Sequence, residues 1–223
     1  MIRFEKVTKR YVSREARKTI VQDLSMVLPT DRNLAIIGRN GAGKSTLLRM
    51  ISGAILPDSG RIVRTNRVSW QLGLSAGVNG SMTGEQNCRF LARLYGEDSD
   101  RLIDFVKDFA ELGPSIRLPV STYSSGMRAR LTFALSMGID FDVYLIDELT
   151  AVGDAAFRKK CTAVFAEKIG RAHVIMVSHS MGSLRNLCQS GIVLENGKLH
   201  YHEDVKDAIS YYENLIGIDS TEG

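Results

Sequence analysis

The spacing of apolar residues divides the chain into three parts, and the first part carries mainly two-residue alternation. Alternation predicts a strand at residues 2–7, the short apolar run at 34–37 predicts another, and extended segments are predicted at 21–28, 61–64 and 67–71. A helical pattern spans residues 44–52 and stops at Gly53, since glycine readily closes a helix. The first part is therefore predicted to be mostly extended, with one helix after the third strand.

The middle of the chain changes to a helical period, and this predicts helices at 89–95, 100–112 and 125–137. Thr83 begins the first helical stretch, and Gln86 is placed to complete a capping box with it. Two prolines separate the last two helices, Pro114 and Pro119. We predict that residues 72–139 form a helical subdomain.

The last part of the chain alternates strands with helices. Strands are predicted at 142–147 and 173–178, and helices at 154–168, 181–188 and 205–215. Asn196-Gly197 lies between two short runs of strand character and predicts a tight hairpin. This alternation is typical of an α/β fold with a mostly parallel sheet. We therefore predict one domain over residues 1–223, with antiparallel β elements at its N-terminus and the helical subdomain inserted into it.

Composition narrows the choice of compartment and partner. The chain has 223 residues, is 44% hydrophobic and carries a formal net charge of +4, which is too mild to require a nucleic-acid partner, and we expect none. Its apolar runs are far shorter than the roughly 20 residues that span a bilayer, and the charged N-terminus does not resemble a secretory signal. The cysteines fit no metal spacing or disulfide framework and are predicted to be packing residues, Cys88, Cys161 and Cys188. We expect a protein that stays on the cytosolic side.

The turn after the third predicted strand has the spacing G-x-x-x-x-G-K-[ST]. Its residues are Gly38, Arg39, Asn40, Gly41, Ala42, Gly43, Lys44 and Ser45, followed by Thr46. Glycines let the backbone amides point inward, and the following helix adds partial positive charge at its N-terminus, so the turn suits a phosphate chain. Lys44 is then expected to reach the β- and γ-phosphates, and Ser45 to ligate Mg²⁺. The pattern predicts an ATP site of the P-loop class.

A second acidic element follows a later strand. The apolar run before Asp147 and Glu148 predicts a buried strand whose carboxyl end opens at the ligand crevice. We expect Asp147 to hold Mg²⁺ and Glu148 to orient and deprotonate the attacking water.

Several further motifs resemble those of ABC transporter ATPases, in the right order and over nearly the whole chain. The stretch from Tyr123 through Ser124, Ser125, Gly126 and Met127 resembles the signature usually written L-S-G-G-Q. The resemblance also implies roles for single residues elsewhere: a switch histidine at His179, a D-loop aspartate at Asp154, an adenine-stacking aromatic at Tyr11 and a Q-loop residue that meets Mg²⁺ at Gln71.

Within that family the chain looks like the exporters of surface polysaccharide, which include the ATPases of capsule, O-antigen and teichoic acid export. Residues 123–131 and 147–161 carry this likeness, and Val68-Ser69-Trp70 with Leu72-Gly73 favours the capsule branch. The resemblance implies an ATP-hydrolysing subunit on the cytoplasmic face of the inner membrane, peripheral to a separate integral permease. It also implies a second copy bound head to tail, with each ATP between the Lys44 loop of one copy and residues 124–127 of the other.

The chain departs from the family pattern at three places. Ser125 and Met127 replace the usual glycine and glutamine of the signature, and residues 151–154 read A-V-G-D where S-A-L-D is usual. The signature change and the change at residues 151–154 both recur in the polysaccharide branch. Gln71 also lies further before Thr83 than the family spacing, which leaves its role open.

Other functions and sites remain as alternatives. The chain could serve another cargo, as in a nutrient importer or drug exporter, act as a soluble ABC ATPase in translation or DNA repair, or bind ATP for regulation without hydrolysis. His200 and His202 could share a metal with Glu203 or Asp204, although an exposed strand edge explains them equally simply. Basic residues near the N-terminus are interpreted as a solvated turn, with lipid headgroups as the alternative partner: Lys6, Lys9, Arg10, Arg14, Arg17 and Lys18.

Overall fold

The computed structural model describes residues 1–12, 17–72, 77–147 and 155–217. These residues form two compact units. The first comprises Met1–Gln71, Asp142–Glu148 and Ala172–Gly223, and the second comprises Leu72–Phe141 and Leu149–Arg171, each in its described parts. The second unit thus combines most of the stretch predicted as helical with a later helix, and the limits 72–139 for an inserted subdomain stay a prediction.

Among the described residues, strands are confined to the first unit, apart from the final residue of one of them. In the described residues they are β1 (Ile2–Val12), β2 (Arg17–Leu28), β3 (Leu34–Ile37), β4 (Ser59–Arg64), β5 (Val68–Leu72), β6 (Val143–Asp147), β7 (His173–Val177), β8 (Ser190–Glu195) and β9 (Lys198–His202). One sheet has the order β2-β1-β4 and is antiparallel. The other has the order β5-β6-β7-β3-β8-β9, with parallel pairing of β3 to both neighbours and of β6 to β7.

Helices occur in both units. Those of the described residues are α1 (Lys44–Ser52), α2 (Gly84–Tyr95), α3 (Ser99–Ala110), α4 (Ser125–Gly138), α5 (Ala155–Ile169), α6 (Met181–Leu187) and α7 (Val205–Ile216). Thr83 caps α2 and accepts from the backbone N–H of Gln86, whose side chain accepts in turn from the Thr83 N–H, so the predicted capping box is confirmed. Pro114 and Pro119 lie at two short 3₁₀ turns between α3 and α4.

The core of the first unit explains why β3 and α1 are so well marked in the sequence. All four residues of β3 are buried, because the strand has a parallel neighbour on each side and apolar cover on its faces. Leu47, Leu48 and Ile51 of α1 are also fully buried, at the i, i+1 and i+4 spacing of a helix face. Burial of this kind fixes both elements that flank the glycine-rich turn.

The second unit packs around phenylalanine rings and one charged group. Phe109 stacks on Phe133 at 5.8 Å between ring centroids and meets Phe157 edge-on at 5.4 Å, which joins α3, α4 and α5. Glu111 follows α3 and pairs with Arg130 at 3.3 Å and with Lys160 at 2.9 Å. The same three helices are therefore linked by apolar and by ionic contacts.

Two predictions about turns have opposite outcomes. Asn196 and Gly197 both have positive φ, 46° and 79°, and join β8 to β9 in the predicted hairpin. The interpretation of the N-terminal basic stretch as a turn is wrong for its described residues, which lie in β1 and β2. Lys9 there pairs with Asp58 at 2.7 Å, so one of these charges is neutralised within the unit.

Among the residues that the structure describes, no helix has the length and apolar character needed to cross a bilayer.

Candidate nucleotide site

The glycine-rich turn is held against two neighbouring elements. Gly43 has a φ of 111°, and a Cβ there would lie 2.6 Å from Cγ2 of Ile20, so β2 packs directly on the turn. A Cβ at Gly38 would lie 2.7 Å from the carbonyl oxygen of Leu194 in β8. Both positions require glycine for space, and Gly43 requires it for conformation as well. The close packing fixes the turn at the start of α1.

Lys44 is the buried cation of this turn, with 7% of its surface exposed. Its ammonium group donates to the carbonyl oxygens of Gly38 at 2.7 Å and Arg39 at 3.1 Å. Burial lowers the pKa of Lys44, and the nearby Asp147 carboxylate acts in the opposite direction. The interaction with Asp147 means that the lysine and the acid at the end of β6 share one site.

Gln71 connects the turn to the acidic strand. Its side chain is buried, with 3% of the residue exposed, and Nε2 donates to the Ser45 carbonyl oxygen and to Oδ2 of Asp147, each at 3.4 Å. Gln71 therefore contacts both residues that were predicted to meet Mg²⁺, and its own role toward the ion stays a prediction. Hydroxyl, carboxylate and amide oxygens are ligands that suit this ion, so the three side chains fit it chemically.

A cavity of about 490 Å³ lies in front of the turn. Of the residues predicted to form the site, it is lined by Tyr11, Asn40, Gly41, Gly43, Lys44, Ser45, Thr46, Asp147 and His179. Tyr11 is 46% exposed, with the Lys9 ammonium nitrogen 5.6 Å from its ring centroid, and His179 is exposed after β7. Arg39 and Ala42 instead line a neighbouring cavity with the β8–β9 hairpin, and Gly38 contributes its carbonyl to Lys44. The volume is within the range of small-molecule sites.

Sequence reasoning missed Lys18, which also lines this cavity. It was grouped with the basic stretch, yet it lies opposite Tyr11 in the β1–β2 ladder. The residues Lys18 and Ile20 are two apart on β2, so strand alternation could have placed them on one face.

The signature-like residues lie at the N-terminus of α4, in the second unit. Ser124 is the N-cap and its hydroxyl oxygen accepts from the Met127 N–H at 3.2 Å, which leaves the hydroxyl proton free to donate elsewhere. Ser124, Ser125 and Gly126 are exposed and Met127 is partly exposed. A helix N-terminus with free backbone amides is a suitable place for an anion.

Glu148 and Asp154 lie outside the described residues, so their predicted roles as base and D-loop aspartate stay predictions. In the part of the chain that is described, no group of three or more His, Cys, Asp or Glu side chains could hold a metal. His200 and His202 instead lie beside the Tyr211 ring, at 5.4 and 5.2 Å between centroids.

All three cysteines are buried and unbridged. Burial raises the pKa of Cys88 and Cys188 to about 12 and that of Cys161 to about 11. Such thiols stay protonated at neutral pH, as expected of packing residues.

Comparison with known proteins agrees with this fold and identifies the family. The ABC transporter family model matches residues 21–151. The polysialic acid transport ATP-binding protein KpsT of Escherichia coli is 46% identical, over 98% of this chain and 99% of that protein. The capsule polysaccharide export ATP-binding protein CtrD of Neisseria meningitidis serogroup B is 45% identical, over 96% of this chain and 100% of that protein.

A solved structure shows the same fold. The dimeric post-hydrolysis state of the ATP-binding cassette MJ0796, bound to ADP and Pi, superposes with a TM-score of 0.69 at 18% identity, over 91% of this chain and 98% of that one. The fold and the phosphate-binding turn define a P-loop ATPase, and the predicted fold class is confirmed. The chain belongs to the ABC transporter family.

Proposed function

We propose that this chain binds and hydrolyses ATP to drive export of a capsular or other surface polysaccharide, lipid-linked during transport, through a separate permease. One observation carries the choice of cargo. The identity of 45–46% extends over almost the full length of two proteins whose names specify polysialic acid transport and capsule polysaccharide export. A different cargo is the alternative, because relatives with shared ATPase chemistry can serve different permeases.

The cavity in front of the turn is the proposed ATP site. Tyr11 would stack on the adenine, the backbone amides of residues 40–45 would hold the phosphates, and Lys44 would exchange its carbonyl partners for phosphate oxygens. This exchange is favourable because a charge-assisted hydrogen bond to an anion is stronger than one to a neutral carbonyl. Ser45, Asp147 and Gln71 are the proposed holders of Mg²⁺, which when bound neutralises charge on the phosphates.

Hydrolysis is assigned to three side chains. Glu148 would orient the attacking water and accept its proton, and His179 would donate to the γ-phosphate from the rim of the cavity. Lys44 would stabilise the charge that develops on the transferred group.

A second copy is the proposed partner in the catalytic state. Residues Ser124–Met127 at the start of α4 present hydroxyl and amide donors, and these donors fit a γ-phosphate bound by another copy. Asp154 would lie at the same interface. The MJ0796 cassette, which shares this fold, is dimeric in its post-hydrolysis state, and this supports the proposed pairing.

The proposed location is the cytoplasmic face of the inner membrane, where an integral permease holds the chain. In this arrangement the second unit and residues 73–80 bind a coupling element of the permease. ATP-driven pairing of the two copies then drives the conformational change of the permease.

The catalytic part is tested by replacing Glu148 with Gln in the purified full-length protein. ATP affinity is expected to stay within about twofold of wild type while hydrolysis falls by about 10²-fold or more, and a stable dimer should accumulate with ATP in size-exclusion chromatography. Hydrolysis at the wild-type rate by the E148Q variant would remove Glu148 as the base.

The cargo is tested in the native cell. Deletion of the gene is expected to leave glycolipid-linked polysaccharide in the cytoplasm and to remove the surface coat. Complementation with the wild type should restore the coat, whereas the Lys44→Ala variant should not. A normal coat in the deletion strain would favour the other cargoes.

A further inference from the structure

Lys18 is a second cation beside the phosphate-binding turn. Its position follows from the β1–β2 ladder, in which Tyr11 and Lys18 are directly opposite and so project from the same face. Ile20 lies two residues further on that face and packs on Gly43. The packing of Ile20 on Gly43 therefore places Lys18, on the same face of β2, next to the glycine-rich turn.

The distance to the turn is short. The ammonium nitrogen of Lys18 lies 3.3 Å from the position that a Cβ would occupy on Gly41. The same side chain lines the cavity together with Tyr11, Lys44, Asp147 and His179. Lys18 thus lies beside the turn, on the side of the cavity where Tyr11 is found.

Its charge is available for a ligand. Lys44 is buried and donates to two loop carbonyls, whereas Lys18 is exposed, and among the described residues no carboxylate lies within ion-pair distance of it. Lys9, which precedes Tyr11 on β1, is by contrast paired with Asp58. Compared with Lys44, Lys18 therefore has no carbonyl or carboxylate among the described residues that would compete with a ligand for its ammonium group.

We propose that Lys18 binds the diphosphate portion of the nucleotide, the α- and β-phosphates that ADP and ATP share. The inference rests on the proposed ATP site. With adenine on Tyr11 and the terminal phosphate near Lys44 and Asp147, the part of the ligand that passes Gly41 is the segment between them. An ammonium group there can donate charge-assisted hydrogen bonds to phosphate oxygens.

The test is isothermal titration of the full-length protein with Mg·ADP and with Mg·AMP-PNP, a non-hydrolysable ATP analogue. The Lys18→Gln variant is expected to bind both probes about five- to twentyfold more weakly, by the same factor for each, since one charge-assisted hydrogen bond is lost. Lys18→Arg should stay within about threefold of wild type because the positive charge remains.

Arg17 provides the matched control. It is adjacent on β2, exposed, and opposite Val12, so alternation directs it to the other face. Arg17→Gln removes the same charge and should leave both affinities unchanged.

Three results would overturn the assignment. They are wild-type affinity in the Lys18→Gln variant, an equal loss in Arg17→Gln, and a loss confined to AMP-PNP, which would place Lys18 on the γ-phosphate. If the wild type binds neither probe, the proposed function itself is wrong. Failure of Lys18 alone leaves wild-type binding intact and is thereby distinguishable.

Discussion

Replacement of Arg64 by Met should destabilise the protein because it removes hydrogen bonds to the C-terminal end of α1, the end opposite the glycine-rich turn. Arg64 is on β4, yet its Nε donates to the carbonyl oxygen of Ile51 at 2.6 Å and its Nη2 donates to that of Met50. The last carbonyls of a helix have no partner within the helix, so this guanidinium acts as a cap supplied by another element.

The size of the effect follows from these bonds. A hydrogen bond from a charged donor contributes about 1.5–3 kcal/mol, but the Met50 carbonyl would keep its bond from the Gly53 N–H at 3.2 Å. The Ile51 carbonyl is the acceptor that would lose its cap. Burial also lowers the pKa of Arg64, which indicates that desolvation of the charge offsets part of the gain. We expect Arg64→Met to lower the free energy of unfolding by about 1.5–3 kcal/mol, the value of the one bond that is not replaced.

The measurement is urea unfolding followed by the fluorescence of Trp70, the single tryptophan, which is 8% exposed in β5. Arg49→Met is the matched control, because Arg49 is an exposed basic residue in the last turn of α1 and should cost less than about 1 kcal/mol through the helix dipole alone. Arg64→Lys should fall between the two variants, since an ammonium cannot form the same fork of bonds. Equal losses for Arg64→Met and Arg49→Met would refute the capping argument.

Three further outcomes are expected. The three buried thiols are those of Cys88, Cys161 and Cys188, and desolvation raises the pKa of each. They should not react with a disulfide reagent at pH 8 in the folded protein but should all react in urea. Rapid labelling of any one of them without denaturant would contradict their burial. Gly43→Ala should lower the free energy of unfolding by more than about 2 kcal/mol and weaken ADP binding, and Ile20→Ala in the same chain should restore only part of the stability because the φ of 111° remains strained. Phe90 and Leu94 are 46% and 62% exposed one helical turn apart on α2, so their joint replacement by Ser should reduce co-purification with the permease while the ATPase rate of the isolated protein is unchanged; full co-purification would exclude this face.

The parts of the fold that were predictable are those in which one strong local rule applies. β3 and α1 have the predicted bounds because an apolar run, a glycine turn and a terminal glycine mark them. Asn196-Gly197 fixes its hairpin through positive φ in the same way. The N-terminal basic stretch was misjudged because its residues look solvated, whereas the pairing of β1 with β2 and with the distant β4 makes the described ones extended. Lys9 and Asp58 are 49 positions apart in the chain, and nothing local connects them.

The same distinction applies to the site. The glycine-rich turn is a local pattern, and its residues were predicted individually. Lys18 was not, because its relation to Tyr11 depends on the register of two strands, and its relation to Gly41 depends on how that pair packs. Arg64 was missed for the same reason, since a helix cap from another strand leaves no trace in the helix sequence. Long-range placement is thus the part of this site that residue types alone do not determine.

The contacts of Lys44 and Gln71 differ in strength, and the difference bears on how the proposed site would work. Lys44 is fixed by short bonds to carbonyls of the turn itself, so ligand binding needs only a local exchange of partners and little reorganisation. Gln71 holds the Ser45 carbonyl and Asp147 by contacts of 3.4 Å, which are long for hydrogen bonds and correspondingly weak. Its amide can therefore turn to present oxygen to a cation at low energetic cost. Since Gln71 lies near the end of β5, binding of a ligand in the phosphate site would first change the contacts at that end of the strand.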